Sequence, residues 1–145
     1  MSSEPLVLAE RFHEEIFRQD NYDTADEILA PDFEWHMPGL PPSMANREGV
    51  KQFAKMLRSA FPDYELTHDD TILADDKVVI RWTNRAGTHQ GDFLGVAATG
   101  AEASSTGIDI FRIADGQIVE LHQFWDQMGV TVQLGLLPRN AFSFR

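Results

Sequence analysis

The most constraining stretch of this chain runs from Thr106 to Gly129, TGIDIFRIADGQIVELHQFWDQMG. Two apolar runs, IDIFRI and QIVELHQFW, flank Asp115-Gly116. A two-residue hairpin turn needs positive φ at both central positions, which Asp and Gly tolerate best. The stretch therefore reads as a long β-hairpin. Alternation on its return strand places Ile118, Glu120, His122, Phe124 and Asp126 on one face and Val119, Leu121, Gln123 and Trp125 on the other. Neither face is cleanly polar, so a strand covered on both sides is expected, with Asp126 and His122 in an interior or a pocket. Those two side chains become the first candidates for chemistry.

The rest of the chain supplies helices before strands. Leu8, Phe12 and Ile16, with Val7, Ala9 and Phe17, recur at helical spacing from Pro5 to Gln19. Thr24 to Ala30 offers a short second helix stopped by Pro31, and Phe33 to His36 a brief strand. The prolines of Met37 to Ser43 impose a rigid loop. Asn46 is a good N-cap for a third helix reaching Ala60, with Val50, Phe53, Ala54 and Leu57 as its buried stripe. Strands follow from Tyr64 to Leu73 and from Val78 to about Ala86; Thr88 to Gly95 continues the second irregularly, and Ala97 to Gly100 is a loop. Asp126 to Leu134 turns back as a short helix, and patterning weakens after Pro138. The order predicts an α+β fold: one domain over residues 1–145, three helices on one face of a curved, mostly antiparallel sheet of about four to six strands, enclosing a cone-shaped cavity.

Composition narrows the chemistry. There are no cysteines, which excludes disulfides, thiolate nucleophiles and cysteine-based zinc sites. The five histidines, His13, His36, His68, His89 and His122, show no helical metal-ligand spacing, so no metal is expected. No nucleotide fingerprint or phosphate-cradling glycine loop calls for a cofactor. A formal net charge of −11 argues against nucleic acid or an anionic membrane as partner. No signal-peptide pattern opens the sequence, so a cytoplasmic location is expected.

Several segments together resemble the SnoaL-like polyketide cyclase or ester cyclase family: GTHQGDFLG (Gly87 to Gly95), GIDIFRIADGQIVE (Gly107 to Glu120), WDQMG (Trp125 to Gly129), REGVKQFAKMLRSAFPD (Arg47 to Asp63) and VVIRWT (Val78 to Thr83). The resemblance implies the cone-shaped α+β barrel of nuclear transport factor 2 and a homodimer pairing through the outer sheet face. It also implies acid–base catalysis of an intramolecular aldol closure by an aspartate near the end of the last strand, and Asp126 matches that position. A helix N-cap explains the same residue structurally. Where related sequences often carry EHW, this chain has Glu120-Leu121-His122, which moves the histidine to the opposite face.

The expected site thus has Asp126 as acid and base, with His122 and His36 assisting. Trp35, Phe53, Trp82, His89, Phe93, Phe111 and Phe124 are expected to line a pocket for an apolar, carbonyl-bearing small molecule. Arg81 and Arg112 are expected to pair with Asp109, and His13 and His68 to be solvated. The alternatives are a protein of the same fold that holds a hydrophobic ligand without turning it over, and hydrolysis of an epoxide-like group by an activated water, for which the sequence offers Asp126, Asp109 and Glu120, with Glu120 on the Asp126 face.

Overall fold

A computed structural model describes residues 4–140; the expectation of a loosely ordered tail falls partly on residues 141–145, outside that range. The N-terminal amphipathic segment forms α1 (Glu4–Arg11) and continues directly as a π-helical stretch, Phe12–Arg18. Its i→i+5 turns are wider than those of an α-helix. Along it the consecutive pairs Phe12–His13 and Ile16–Phe17 are all buried.

The second helix, α2 (Thr24–Ile28), ends earlier than its pattern suggests, because the chain is already extended at Leu29. Strand β1 (Leu29–His36) contains Pro31, which a sheet accepts at an edge. Its pairing is irregular between Leu29 and Glu34, around the proline. A 3₁₀ turn at Pro42–Met44 precedes α3 (Arg47–Ala60), whose Asn46 N-cap accepts from the Gly49 amide at 2.9 Å. Val50, Phe53 and Ala54 form its buried stripe, as the spacing predicts.

Strands β2 (Glu65–Ala74), β3 (Lys77–Thr88), β4 (Glu102–Ala114) and β5 (Gln117–Trp125) follow, then α4 (Gln127–Gln133). Residues 89–101, expected in part to prolong β3, form a loop with a single Phe93–Val96 bridge. The β4–β5 hairpin turns at Asp115-Gly116 with φ of 52° and 76°, as predicted.

The sheet order is β1-β5-β4-β3-β2, antiparallel except for the β1–β5 pair. It curves around α1 and α3 but does not close, so the expected barrel is an open cone with β1 and β2 as edges. Val78, Ile80 and Trp82 of β3, Phe111 and Ile113 of β4, and Leu121 of β5 pack on the concave side as the core. The described residues of this chain leave the outer side open: Phe124 is 56% exposed and Ile108 43%. Among the described residues no helix is long and apolar enough to cross a membrane.

Candidate active site

The concave face and the helices border an apolar cavity open to solvent, about 670 Å³ when the space at its mouth is counted. Phe17, Phe53, Phe61, Trp82, Phe93 and Trp125 make most of its wall, and His13, Tyr64, Asn84, Ser105 and Gln123 supply its polar atoms. An aromatic wall with a few fixed polar groups suits a flat, apolar ligand with one or two oxygen functions.

Behind this wall lies a buried polar chain. Asp109 of β4 is fully buried; its Oδ1 accepts from Trp82 Nε1 at 3.0 Å, and its Oδ2 lies 2.7 Å from His13 Nε2. On the far side, His13 Nδ1 lies 2.7 Å from His68 Nε2. A carboxylate only accepts, so His13 presents Nε2–H to Asp109 and its Nδ1 lone pair accepts from His68. Local sequence builds the arrangement. Gly107 is the inward residue preceding Asp109 and pairs with Trp82, where a Cβ would sit 2.3 Å from the indole Cζ2. Only glycine leaves the indole room to lie across β4 and reach Asp109.

His13 and Leu66 also border a second, polar opening of about 400 Å³ shared with Glu14, Arg18 and His68. The His68 imidazole is held below its ordinary pKa, chiefly by burial and then by repulsion from His13. A depressed histidine binds fewer protons folded than unfolded, so unfolding takes up protons and stability rises with pH. This contribution is complete above about pH 6.5, the unfolded value, and is lost as pH falls toward the lowered folded value. The expected result is a wild-type Tm that declines from pH 7 to pH 5 more steeply than that of His68→Asn, as read by differential scanning calorimetry. Burial also pushes the Tyr64 phenol upward, so Tyr64 stays protonated and donates to the Phe17 carbonyl.

Of the side chains expected in the pocket, Phe53, Trp82 and Phe93 line the cavity. Trp35 is buried behind it and donates Nε1 to Gln123 Oε1 at 3.2 Å, so it orients a lining residue. Phe111 is fully buried core, its ring centroid 5.2 Å from that of Phe12. His89 is fully buried, stacked on Phe61 and joined to Thr99 through Nδ1. Phe124 lies on the outer face. On β5 the inner face belongs to Leu121, Gln123 and Trp125, which pair with Phe111, Asp109 and Gly107 of β4. His122 and His36 therefore stand outside, stacked at 4.4 Å between centroids.

Asp126 does not share a strand face with His122, because β5 ends at Trp125. It is exposed and caps α4, accepting from the Gly129 amide at 2.8 Å. Its neighbours Trp125 and Val130 line the cavity, and Asp126 itself is not among the wall residues. Asp126→Ala is expected to cost about 1 kcal/mol, the usual value of such a cap, measured as a shift in denaturant midpoint. The arginines also pair differently from expectation. Arg81 faces Asp69 at 3.7 Å and Arg112 faces Glu120 at 3.4 Å, because both point outward while Asp109 points in.

The residues that sequence reasoning missed are His13, Asn84 and Gln123. The signal for His13 was present: helical spacing puts it four residues after Ala9 and three and four before Ile16 and Phe17, on the buried face of the first helix. It is 4% exposed rather than solvated.

An open, curved α+β sheet wrapped around helices and an apolar cavity defines the class of nuclear transport factor 2-like folds. Within it, the chain belongs to the SnoaL-like polyketide cyclase family, whose profile matches residues 7–134. Among solved structures, it is similar to TsrD from Streptomyces laurentii, at 30% identity over 93% of this chain and 97% of that one, with a TM-score of 0.80. AclR from Streptomyces galilaeus, described as a candidate hydroxylase, is 28% identical over 95% of this chain and 100% of its own, with a TM-score of 0.79. IdmH from Streptomyces antibioticus, described as a candidate polyketide cyclase, is 30% identical over 90% and 98%, with a TM-score of 0.74. No curated protein matches the chain.

Proposed function

We propose that this protein is a cyclase or isomerase that closes a ring in an apolar, carbonyl-bearing small molecule of polyketide type by acid–base chemistry at His13. The observation that carries the reading is the apolar cavity whose wall includes a buried histidine held from behind by a buried carboxylate.

An aldol closure begins with removal of a proton beside a carbonyl. His13 Nδ1 is the base, freed when His68 swings away, and the imidazolium that forms is stabilised at Nε2 by Asp109. The enolate oxygen needs hydrogen-bond donors. Gln123 lends its carbonyl to Trp35, and its Nε2 has no partner among the described residues; Asn84, 7% exposed, has its buried acceptor Oδ1 without a partner there. Gln123 Nε2 serves as the donor to the enolate, and Asn84 Oδ1 accepts from a substrate hydroxyl. Its carbon then attacks a second carbonyl, and the new alkoxide takes the proton back from His13. Atoms balance without a co-reactant.

One observation favours the binding-only reading: both ring nitrogens of His13 already have protein partners. A fused-ring aromatic β-keto ester separates the two. Quenching of Trp82 and Trp125 fluorescence reports binding, and deuterium uptake at the carbon between the carbonyls reports base catalysis. Uptake well above the solvent rate supports the enzyme. Binding with uptake at the solvent rate supports the ligand carrier, and absence of binding overturns both.

A further inference from the structure

The outer face of the sheet carries a second cluster that the cavity chemistry does not use. Strands β1 and β5 run parallel there, in a register that places Glu34 beside Glu120 and His36 beside His122. Two imidazoles and two carboxylates thus form a two-by-two array on adjacent strands. We propose that His36, His122 and Glu120 bind a divalent first-row transition metal of the zinc type, on the side of the sheet opposite the cavity.

The donor atoms converge. His36 Nε2 lies 3.7 Å from Glu120 Oε2 and His122 Nε2 3.4 Å from Glu120 Oε1. One ligating atom from each of the three residues falls within 4.8 Å of the other two. Tetrahedral zinc with bonds of about 2.1 Å holds its donors about 3.4 Å apart, so the set must close by roughly an ångström. The histidine side chains are 44% and 42% exposed and can close by small χ rotations. Glu34 Oε1, 3.3 Å from His36 Nε2, stands next to the set as a fourth donor.

The ligand types select the metal. Imidazole with carboxylate suits zinc, nickel or copper, whereas calcium and magnesium require all-oxygen shells. One cation opposes binding: Arg112 Nε lies 3.4 Å from Glu120 Oε1 and must yield that oxygen or share the carboxylate. The two histidines are 86 positions apart in sequence, by subtraction of their numbers, so only the parallel β1–β5 pairing brings them together.

The test is titration of the full-length, tag-free protein with Zn²⁺ by calorimetry, and with Co²⁺ by visible absorption, which distinguishes tetrahedral from octahedral coordination. One ion per chain is expected, with a Kd of about 10 μM or tighter. His36→Ala and His122→Ala should each weaken it by about tenfold or more. Arg112→Gln should tighten it. Circular dichroism melts of the variants show whether they remain folded, which exposed side chains allow. No stoichiometric binding below about 100 μM would overturn the site. Undiminished affinity in a folded His36→Ala/His122→Ala double variant would do the same.

Discussion

His13→Gln is expected to lower deuterium uptake by a fused-ring β-keto ester by about two to four orders of magnitude, the usual contribution of a general base. The glutamine amide can still donate to Asp109 Oδ2, so the buried carboxylate keeps a partner and the fold survives. Binding of the ester, read by tryptophan fluorescence, should change by only a few-fold. Asp126→Asn, by contrast, is expected to leave uptake within about threefold of wild type, since its carboxylate serves the amide of Gly129. His68→Ala should retain or raise uptake, because it removes the group that occupies His13 Nδ1. A loss in His68→Ala as deep as that in His13→Gln would mean that protons pass along the chain rather than from the substrate to Nδ1.

Asp109→Ala is expected to destabilise the protein by about 3–5 kcal/mol, the cost of removing one partner from a buried charged or hydrogen-bonded set. The carboxylate accepts from Trp82 Nε1 at 3.0 Å and lies 2.7 Å from His13 Nε2; its loss leaves two buried donors unsatisfied in an aromatic environment. Urea unfolding should show a lower midpoint at an unchanged m-value. Asp109→Asn should be milder in stability and severe in activity. Its carbonyl can still accept from Trp82, but its amide donates toward His13 and favours the tautomer with the proton on Nδ1. The base lone pair is then at the wrong end of the ring.

Local chemistry was readable where one residue type answers one backbone demand. Asp115-Gly116 announces its turn and Asn46 its cap, and both are present as the sequence implies. The α+β order and the cone shape were also readable, because helical and strand periods do not mix along this chain. The inward face of β5 was not. Leu121 and Trp125 on one face and Ile118 and Phe124 on the other carry similar apolar weight, so alternation alone does not choose between them. What chooses is β4, where Gly107, Asp109 and Phe111 fill the interior opposite Trp125, Gln123 and Leu121. The role of His13 was hidden for a different reason: its helical face was legible beside Ala9, Ile16 and Phe17, but its partners Asp109 and His68 lie on strands far away in sequence. The outer histidine pair depends on the parallel register of two strands distant in sequence, which no local pattern encodes.

The most direct measurement is a crystal structure of the protein with a stable enol analogue of the β-keto ester. The expected result places its rings among Phe53, Trp82 and Phe93, one oxygen within hydrogen-bond distance of Gln123 Nε2, and the acidic carbon facing His13 Nδ1 with His68 displaced. An analogue whose reacting carbon faces Asp126 instead, with the His13–His68 contact intact, would contradict the assignment of His13 as the base.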